Sequence, residues 1–99
     1  MPRFPLYLAL LLLTLLPTTG WSAAATGEEL FKTLGCRGCH QLAKQGGSLG
    51  PTLDGLGKRH KSKTLRPLLL HRRKGSAMPS YDQLTETELA TLIAYLESL

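Results

Sequence analysis

The chain has 99 residues, a formal net charge of +5 and only two cysteines. This length is enough for one small domain. The basic charge suits nucleic acid, anionic lipid or an acidic protein as a partner, and the export signal described next argues against nucleic acid.

The N-terminal segment differs in composition from the rest of the chain. Arg3 precedes an apolar run over residues 6–16, and small residues at 22–25 offer a cleavage site. These are the three parts of a secretory signal peptide. We therefore expect residues 1–25 to be a signal peptide and residues 26–99 to be a mature domain in the periplasm.

An uncleaved membrane anchor is the alternative for this segment. Its apolar run is shorter than the ~20 residues needed to cross a bilayer, so we expect no stable membrane insertion after cleavage. Cleavage after Ala24 or Ala25 removes Arg3 alone among the charged residues, and the net charge falls from +5 to +4. The remaining domain has a marginal core, which a bound apolar group would strengthen.

A first helix is predicted after the cleavage site. Thr26 can cap it, and Glu28 and Glu29 favour its positive end. Gly35 ends the helix or bends it into the next motif. One apolar face is expected from Leu30, Phe31 and Leu34.

Residues 36–40 read Cys-Arg-Gly-Cys-His, the attachment signature of a c-type haem. The thiols of Cys36 and Cys39 add across the two vinyl groups of haem as thioethers. A two-residue spacer in a helical turn places both sulfurs on one side. The imidazole of His40 then lies under the iron as its proximal ligand.

The same five residues allow three other kinds of site. A thiol–disulfide redox centre would activate the first cysteine, but it usually lies in a βαβ setting. A zinc site would need both cysteines and two of the histidines His40, His60 and His71. A structural disulfide between Cys36 and Cys39 is the simplest alternative for an exported chain.

The middle of the chain is predicted to be a loop over residues 41–57 and then one short helix. The loop holds five glycines and a proline. The helix begins at Ser62 or Thr64, tolerates Pro67 only in its first turn and stops at Gly75. This region has no acid between Asp54 and Asp82 but eight basic residues, which are Lys58, Arg59, Lys61, Lys63, Arg66, Arg72, Arg73 and Lys74.

Met78 is the candidate for the second axial position of a haem iron. It lies in a Gly-Ser-Ala-Met-Pro segment between two helices, where a thioether has little core to fill. His71 is the better of two alternative ligands, because His60 lies among basic residues. A Met/His pair raises the reduction potential relative to two histidines. If Met78 does not bind iron, the site is open and suits a haem enzyme or a sensor.

The last helix has the clearest local signals. Thr85 and Glu88 form a capping box, and Leu84 and Leu89 are spaced as a hydrophobic staple. A single apolar stripe follows. The sequence therefore predicts an all-α fold of three or more short helices without a sheet. The stripe consists of Leu89, Leu92, Ile93, Leu96 and Leu99.

In this order the motifs resemble a small, monohaem class I cytochrome c of bacterial, exported type over nearly the whole mature chain. Phe31 stands five residues before the first cysteine of the haem motif. Gly50-Pro51 and Met78-Pro79 follow, and the final helix carries Leu92 and Tyr95. The resemblance implies a cytochrome c domain over residues 26–99 that wraps one covalently attached haem c.

The resemblance also implies roles for single residues. Cys36 and Cys39 carry the thioethers, and His40 and Met78 bind the iron. The carbonyl of Pro51 accepts the other ring N–H of His40. The first helix crosses the last helix with Gly27 and Phe31 against Leu92 and Tyr95.

Two departures from the family accompany the resemblance. The middle helix lacks the tryptophan that many relatives place near a haem propionate, so Tyr81 or Arg59 is expected in that role. The segment from His40 to Met78 is short, so one haem edge is expected to be unusually exposed.

These observations predict an electron carrier that is not an enzyme by itself. Its redox partners are expected to carry acidic patches that dock around the haem edge. The basic stretch would attract these patches. The alternative is the same domain bound permanently to a periplasmic dehydrogenase or sulfur-compound oxidoreductase. An exposed leucine patch at residues 68–70 would favour that alternative.

Overall fold

The computed structural model describes residues 24–99, so most of the predicted signal peptide lies outside the described residues. In this range the chain forms four α-helices and no strand. The all-α prediction is confirmed. The helices are α1 (Gly27–Thr33), α2 (Leu56–Arg59), α3 (Ser62–Leu70) and α4 (Glu86–Glu97), with a short 3-10 turn at Cys36–Gly38.

The first and last helices begin where their capping residues predict. The hydroxyl of Thr26 accepts the backbone N–H of Glu29 at 3.1 Å. At α4 both halves of the capping box form, between Thr85 and Glu88, with N···O distances of 3.1 and 3.0 Å. Between residues 24 and 99 no helix is long and apolar enough to span a membrane.

Helices α1 and α4 cross at the predicted residues. A Cβ atom on Gly27 would overlap the Cβ atom of Tyr95 and lie 2.7 Å from the carbonyl oxygen of Thr91. The rings of Phe31 and Tyr95 lie with their centroids 5.4 Å apart. Phe31 and Leu92 are fully buried in the same apolar core. The glycine therefore lets the two backbones approach closely.

The middle helix differs from its prediction at two points. Pro67 lies inside α3 and not in its first turn. The helix also ends at Leu70, well before Gly75, because the returning chain satisfies its last carbonyls. The backbone N–H of Tyr81 donates to Leu69 at 2.8 Å, and the hydroxyl of Ser80 donates to Leu70 at 2.7 Å.

Helix α2 lies partly within residues that were predicted to be loop. It begins after Gly55, whose φ of +70° is in the left-handed region. Gly57 is buried against the backbone of Glu97, and its N–H donates to the carbonyl of Leu99 at 3.1 Å. Contact with the end of α4 therefore fixes this turn, and no local signal in the sequence indicates it.

Candidate functional site

All five residues predicted for the site line one cavity of about 540 Å³. Cys36 borders it from the 3-10 turn, and Cys39 and His40 border it from the two residues after that turn. Pro51 borders it from the long loop, and Met78 from the loop between α3 and α4. Segments far apart in sequence therefore bring two thiols, an imidazole and a thioether to one space.

The rest of the lining is mainly apolar. A flat apolar group held in this cavity would be covered by leucines from every helix-bearing part of the chain, so the lining fits a porphyrin. The apolar side chains are Leu34, Leu49, Leu53, Leu56, Leu65, Leu68, Leu69, Ala77, Pro79 and Leu96.

The two cysteines are half-buried free thiols. The backbone N–H of His40 donates to the carbonyl of Cys36 at 3.0 Å, which closes the turn that carries the motif. Burial raises the pKa of the Cys36 thiol, and its own backbone N–H opposes this in part. A raised pKa is the opposite of what an activated redox thiolate needs, so it counts against the thiol–disulfide alternative.

The ring of His40 is oriented by the loop opposite it. Its Nδ1 atom lies 2.7 Å from the carbonyl oxygen of Pro51. A carbonyl can only accept, so Nδ1 carries the proton and Nε2 keeps a free lone pair. The preceding residue, Gly50, lies against the ring itself. The ring therefore offers one nitrogen to a metal and is held through the other.

Met78 is half-buried in a loop that hydrogen bonds hold in place. The hydroxyl of Ser76 accepts the N–H of Met78 at 3.2 Å. Gly75 precedes this turn with a φ of +80°, which a residue with a Cβ atom rarely adopts. The loop therefore fixes the backbone that leads into Met78.

The two alternative iron ligands lie differently from the expectation. His60 is half-buried and lines the cavity. His71 is exposed, follows the last residue of α3 and lies outside the cavity lining. The preference for His71 over His60 was wrong, because the helix ends at Leu70 and leaves His71 outside the cavity.

Other polar side chains also border the cavity. Tyr81 and Arg59 were the residues expected near the haem propionates, and both line it. Burial is the main cause that raises the pKa of the Tyr81 hydroxyl. Arg59 already donates to the carbonyls of Thr52 and Asp54, at 2.9 and 3.2 Å. Arg73 lines the cavity as well. Its place in the basic stretch of the sequence did not predict that it borders the site.

Residues 24–99 contain no group of three or more His, Cys, Asp or Glu side chains that could hold a metal ion together. The zinc alternative requires such a group from the cysteines and histidines. Two thiols, an imidazole and a thioether that border one apolar cavity are instead the kinds of group that hold a covalently attached haem.

The chain is similar to known proteins over most of its length. A family model described as Cytochrome c matches residues 24–99. Cytochrome c oxidase subunit 2 of Alkalihalophilus pseudofirmus is 29% identical over 87 residues, which cover 77% of this chain and 25% of that protein. The chain thus spans about a quarter of the length of this relative. No solved structure matches the chain.

Proposed function

The chain belongs to the cytochrome c family, and we propose that it is a periplasmic electron carrier with one haem c whose iron is bound by His40 and Met78. Family membership establishes a haem-based electron-transfer protein with a covalent haem c. One observation carries the finer proposal. The thiols, the imidazole of His40 and the thioether of Met78 border a single apolar cavity.

Each of these residues has one task in the proposed site. Cys36 and Cys39 hold the group through thioethers, so it cannot dissociate. When bound, the haem supplies an iron that alternates between ferric and ferrous states. Met78 favours the ferrous state and so raises the potential relative to a second histidine. With His40 and Met78 both bound to it, the iron would have no free position for a substrate.

The cavity mouth supports an exposed route for electrons. Leu49 lines the cavity and is 83% exposed. Ala77 and Pro79 are also exposed beside Met78. We propose that redox partners contact this rim, because electron transfer needs a short path to the haem edge.

Basic side chains give this rim a positive charge. Arg59 and Arg73 are exposed and line the cavity. Arg66 is instead paired with Glu86 at 2.7 Å, so it contributes less to an open basic face. Acidic patches on partner proteins therefore fit the mouth through Arg59 and Arg73, and attraction of this kind mainly raises the association rate.

We also propose that residues 1–25 are the export signal of this carrier. The support is the charge, apolar run and small residues of that segment. Analysis of the mature N-terminus by mass spectrometry tests it. A chain that begins at Ala25 or Thr26 is expected, and a chain that retains the apolar run would favour the anchored alternative.

A permanently bound oxidase subunit is the second candidate, because the relative named above is an oxidase subunit. Exposure of the leucines at 68–70 would favour such an interface, but these leucines are not exposed. Leu69 is buried, while Leu68 and Leu70 are half-buried and Leu68 lines the cavity. Size-exclusion chromatography of the native protein separates the candidates. A free carrier elutes as a small monomer, and a subunit elutes with its complex.

An optical spectrum of the purified protein tests the proposed function. Reduction should give the α band of a low-spin c-type haem. The oxidised protein should show the weak far-red band of a sulfur–iron bond, and Met78→Ala should lose it. A protein without haem absorption would reject the proposal, and a far-red band that survives in the variant would reject Met78 as ligand.

A further inference from the structure

Two chain segments pair side by side next to His40. The N–H of Gly50 donates to the carbonyl of Cys39 at 2.8 Å, and the N–H of Leu53 donates to the carbonyl of Gln41 at 2.9 Å. The carbonyl of Pro51 lies between these two bonds and reaches Nδ1 of His40. Its position therefore depends on how firmly the two segments are joined.

The carboxylate of Asp54 joins the same two segments from outside. Oδ1 accepts the backbone N–H of Ala43 at 3.0 Å, and Oδ2 accepts the hydroxyl of Thr52 at 3.0 Å. The Thr52 hydroxyl also lies 3.2 Å from the carbonyl of Gln41, so its single proton is shared between two acceptors. One side chain thus links Ala43, three residues after His40, to Thr52, the residue after Pro51.

The turn that Asp54 holds has an unusual backbone. Ala43 and Lys44 have φ values of +51° and +64°, although both carry a Cβ atom. Leu42 and Gln45 close the turn by exchanging two N–H···O bonds of 2.8 and 3.0 Å. Such a backbone persists only where its surroundings hold it firmly. The bond from Ala43 to Asp54 is one of the contacts that do so.

Asp54 is charged at neutral pH. The N–H of Ala43 is the main cause that lowers the pKa of its carboxyl group, followed by the hydroxyl of Thr52, and the charge of Arg59 adds to this. Arg59 also donates to the carbonyls of Thr52 and Asp54. A carboxylate accepts stronger hydrogen bonds than a protonated carboxyl group. The ionised form of Asp54 therefore makes the link.

We propose that Asp54 is a positioning residue for the axial histidine, because its link between Ala43 and Thr52 keeps the Pro51 carbonyl on Nδ1 of His40. This inference rests on the proposed binding of iron by His40. A carbonyl that accepts the ring N–H makes the imidazole a more basic ligand. If the link were loosened, the imidazole of His40 would donate less strongly to ferric iron. The reduction potential of the haem would then rise.

The test compares four forms of the holoprotein: wild type, Asp54→Ala, Asp54→Asn and Asp82→Ala. Asp82 is an exposed acid outside the cavity lining, so Asp82→Ala removes one negative charge without touching the link between Ala43 and Thr52. In the reduced, diamagnetic protein, NMR measures how fast the Nδ1 proton of His40 exchanges with solvent. Electrochemistry measures the midpoint potential of each form.

We expect the Nδ1 proton to exchange at least about fivefold faster in Asp54→Ala, the effect of losing roughly one hydrogen bond. Its midpoint potential should rise by more than that of Asp82→Ala. In Asp54→Asn the amide oxygen still accepts the N–H of Ala43, and the amide NH2 can donate to the hydroxyl oxygen of Thr52. Both ends of the link are kept, so the exchange rate in this variant should stay near that of wild type. Equal exchange in Asp54→Ala and wild type, or equal potential shifts in Asp54→Ala and Asp82→Ala, would overturn the proposal.

A second variant covers the case in which Asp54→Ala does not accumulate with haem. Thr52→Val keeps the side-chain shape and removes only the hydroxyl that Asp54 accepts. Faster exchange of the His40 proton in Thr52→Val supports the inference, and unchanged exchange overturns it. A wild-type protein without a low-spin c-type spectrum would instead reject the proposed function, so the two failures are distinguishable.

Discussion

Gly50 lies so close to the face of the His40 ring that a Cβ atom at residue 50 would be 2.7 Å from Nδ1 and 3.0 Å from Nε2. The next residue supplies the carbonyl that accepts the ring proton. The loop therefore holds the imidazole in two ways. The carbonyl of Pro51 accepts a hydrogen bond from the ring, and the backbone of Gly50 lies directly against it.

Gly50→Ala is expected to displace the His40 ring, because the added methyl group has no room beside it. Attachment through Cys36 and Cys39 should continue, but the oxidised protein should show a larger high-spin fraction in its optical spectrum. Gly38→Ala is the matched control, since a Cβ atom at residue 38 meets nothing within 4 Å. Identical low-spin spectra for both variants would contradict this view of Gly50.

Gly27→Ala is expected to destabilise the crossing of α1 and α4. The new methyl group would meet the side chain of Tyr95 and the backbone of Thr91. Overpacking of this kind costs about 1–3 kcal/mol, and the backbone cannot move away as a flexible side chain could. Urea unfolding measures the loss. Thr33→Ala, at an exposed position of the same helix, should stay within about 0.5 kcal/mol of wild type.

The pH dependence of stability should include Glu88. The N–H of Thr85 is the main cause that lowers the pKa of this carboxyl group, and the Thr85 hydroxyl contributes. A lowered folded-state pKa gives stability above the unfolded value of about 4.3, and this stability is lost as pH falls through the folded value.

Glu88→Gln keeps an oxygen for the N–H of Thr85 but does not titrate. We therefore expect it to lose less stability than wild type between about pH 5 and pH 3. Thr87→Ala, in the same helical turn, should retain the wild-type dependence. Urea unfolding at a series of pH values measures both, and parallel curves for wild type and Glu88→Gln would rule out this contribution.

The role of Arg73 can be tested without knowing a partner. Arg73→Glu reverses a charge at the cavity, whereas Lys63→Glu reverses one on α3 outside the cavity lining. At low salt, Arg73→Glu should slow oxidation by hexacyanoferrate by roughly threefold or more and accelerate reaction with a cationic ruthenium complex. The effect should fade at high salt. Equal rates for the two variants would remove Arg73 from the electron-transfer surface.

Local signals predicted where α1 and α4 begin. Thr26 and Thr85 each accept a backbone N–H from the residue three positions further along the chain. The end of α3 was not predictable in this way, since Ser80 and Tyr81 satisfy its carbonyls from about ten residues further along. The exposed position of His71 follows from that end.

The site shows the same contrast. The haem motif is contiguous, so its residues could be named from the sequence. Asp54 acts through Ala43, eleven residues earlier in the chain, and no pattern marks such a contact. Arg73 borders the cavity only because the chain turns back after α3. Residues that act through tertiary contacts and stand in no family motif therefore emerge only from the structure.

Carbon monoxide binding by the reduced protein tests the central claim most directly. If His40 and Met78 fill both axial positions, the reduced spectrum at neutral pH should not change under carbon monoxide. Met78→Ala should bind the gas, and His60→Ala should behave like wild type. Ready binding of carbon monoxide by the wild-type protein would contradict a carrier with two protein ligands and would indicate an open haem site.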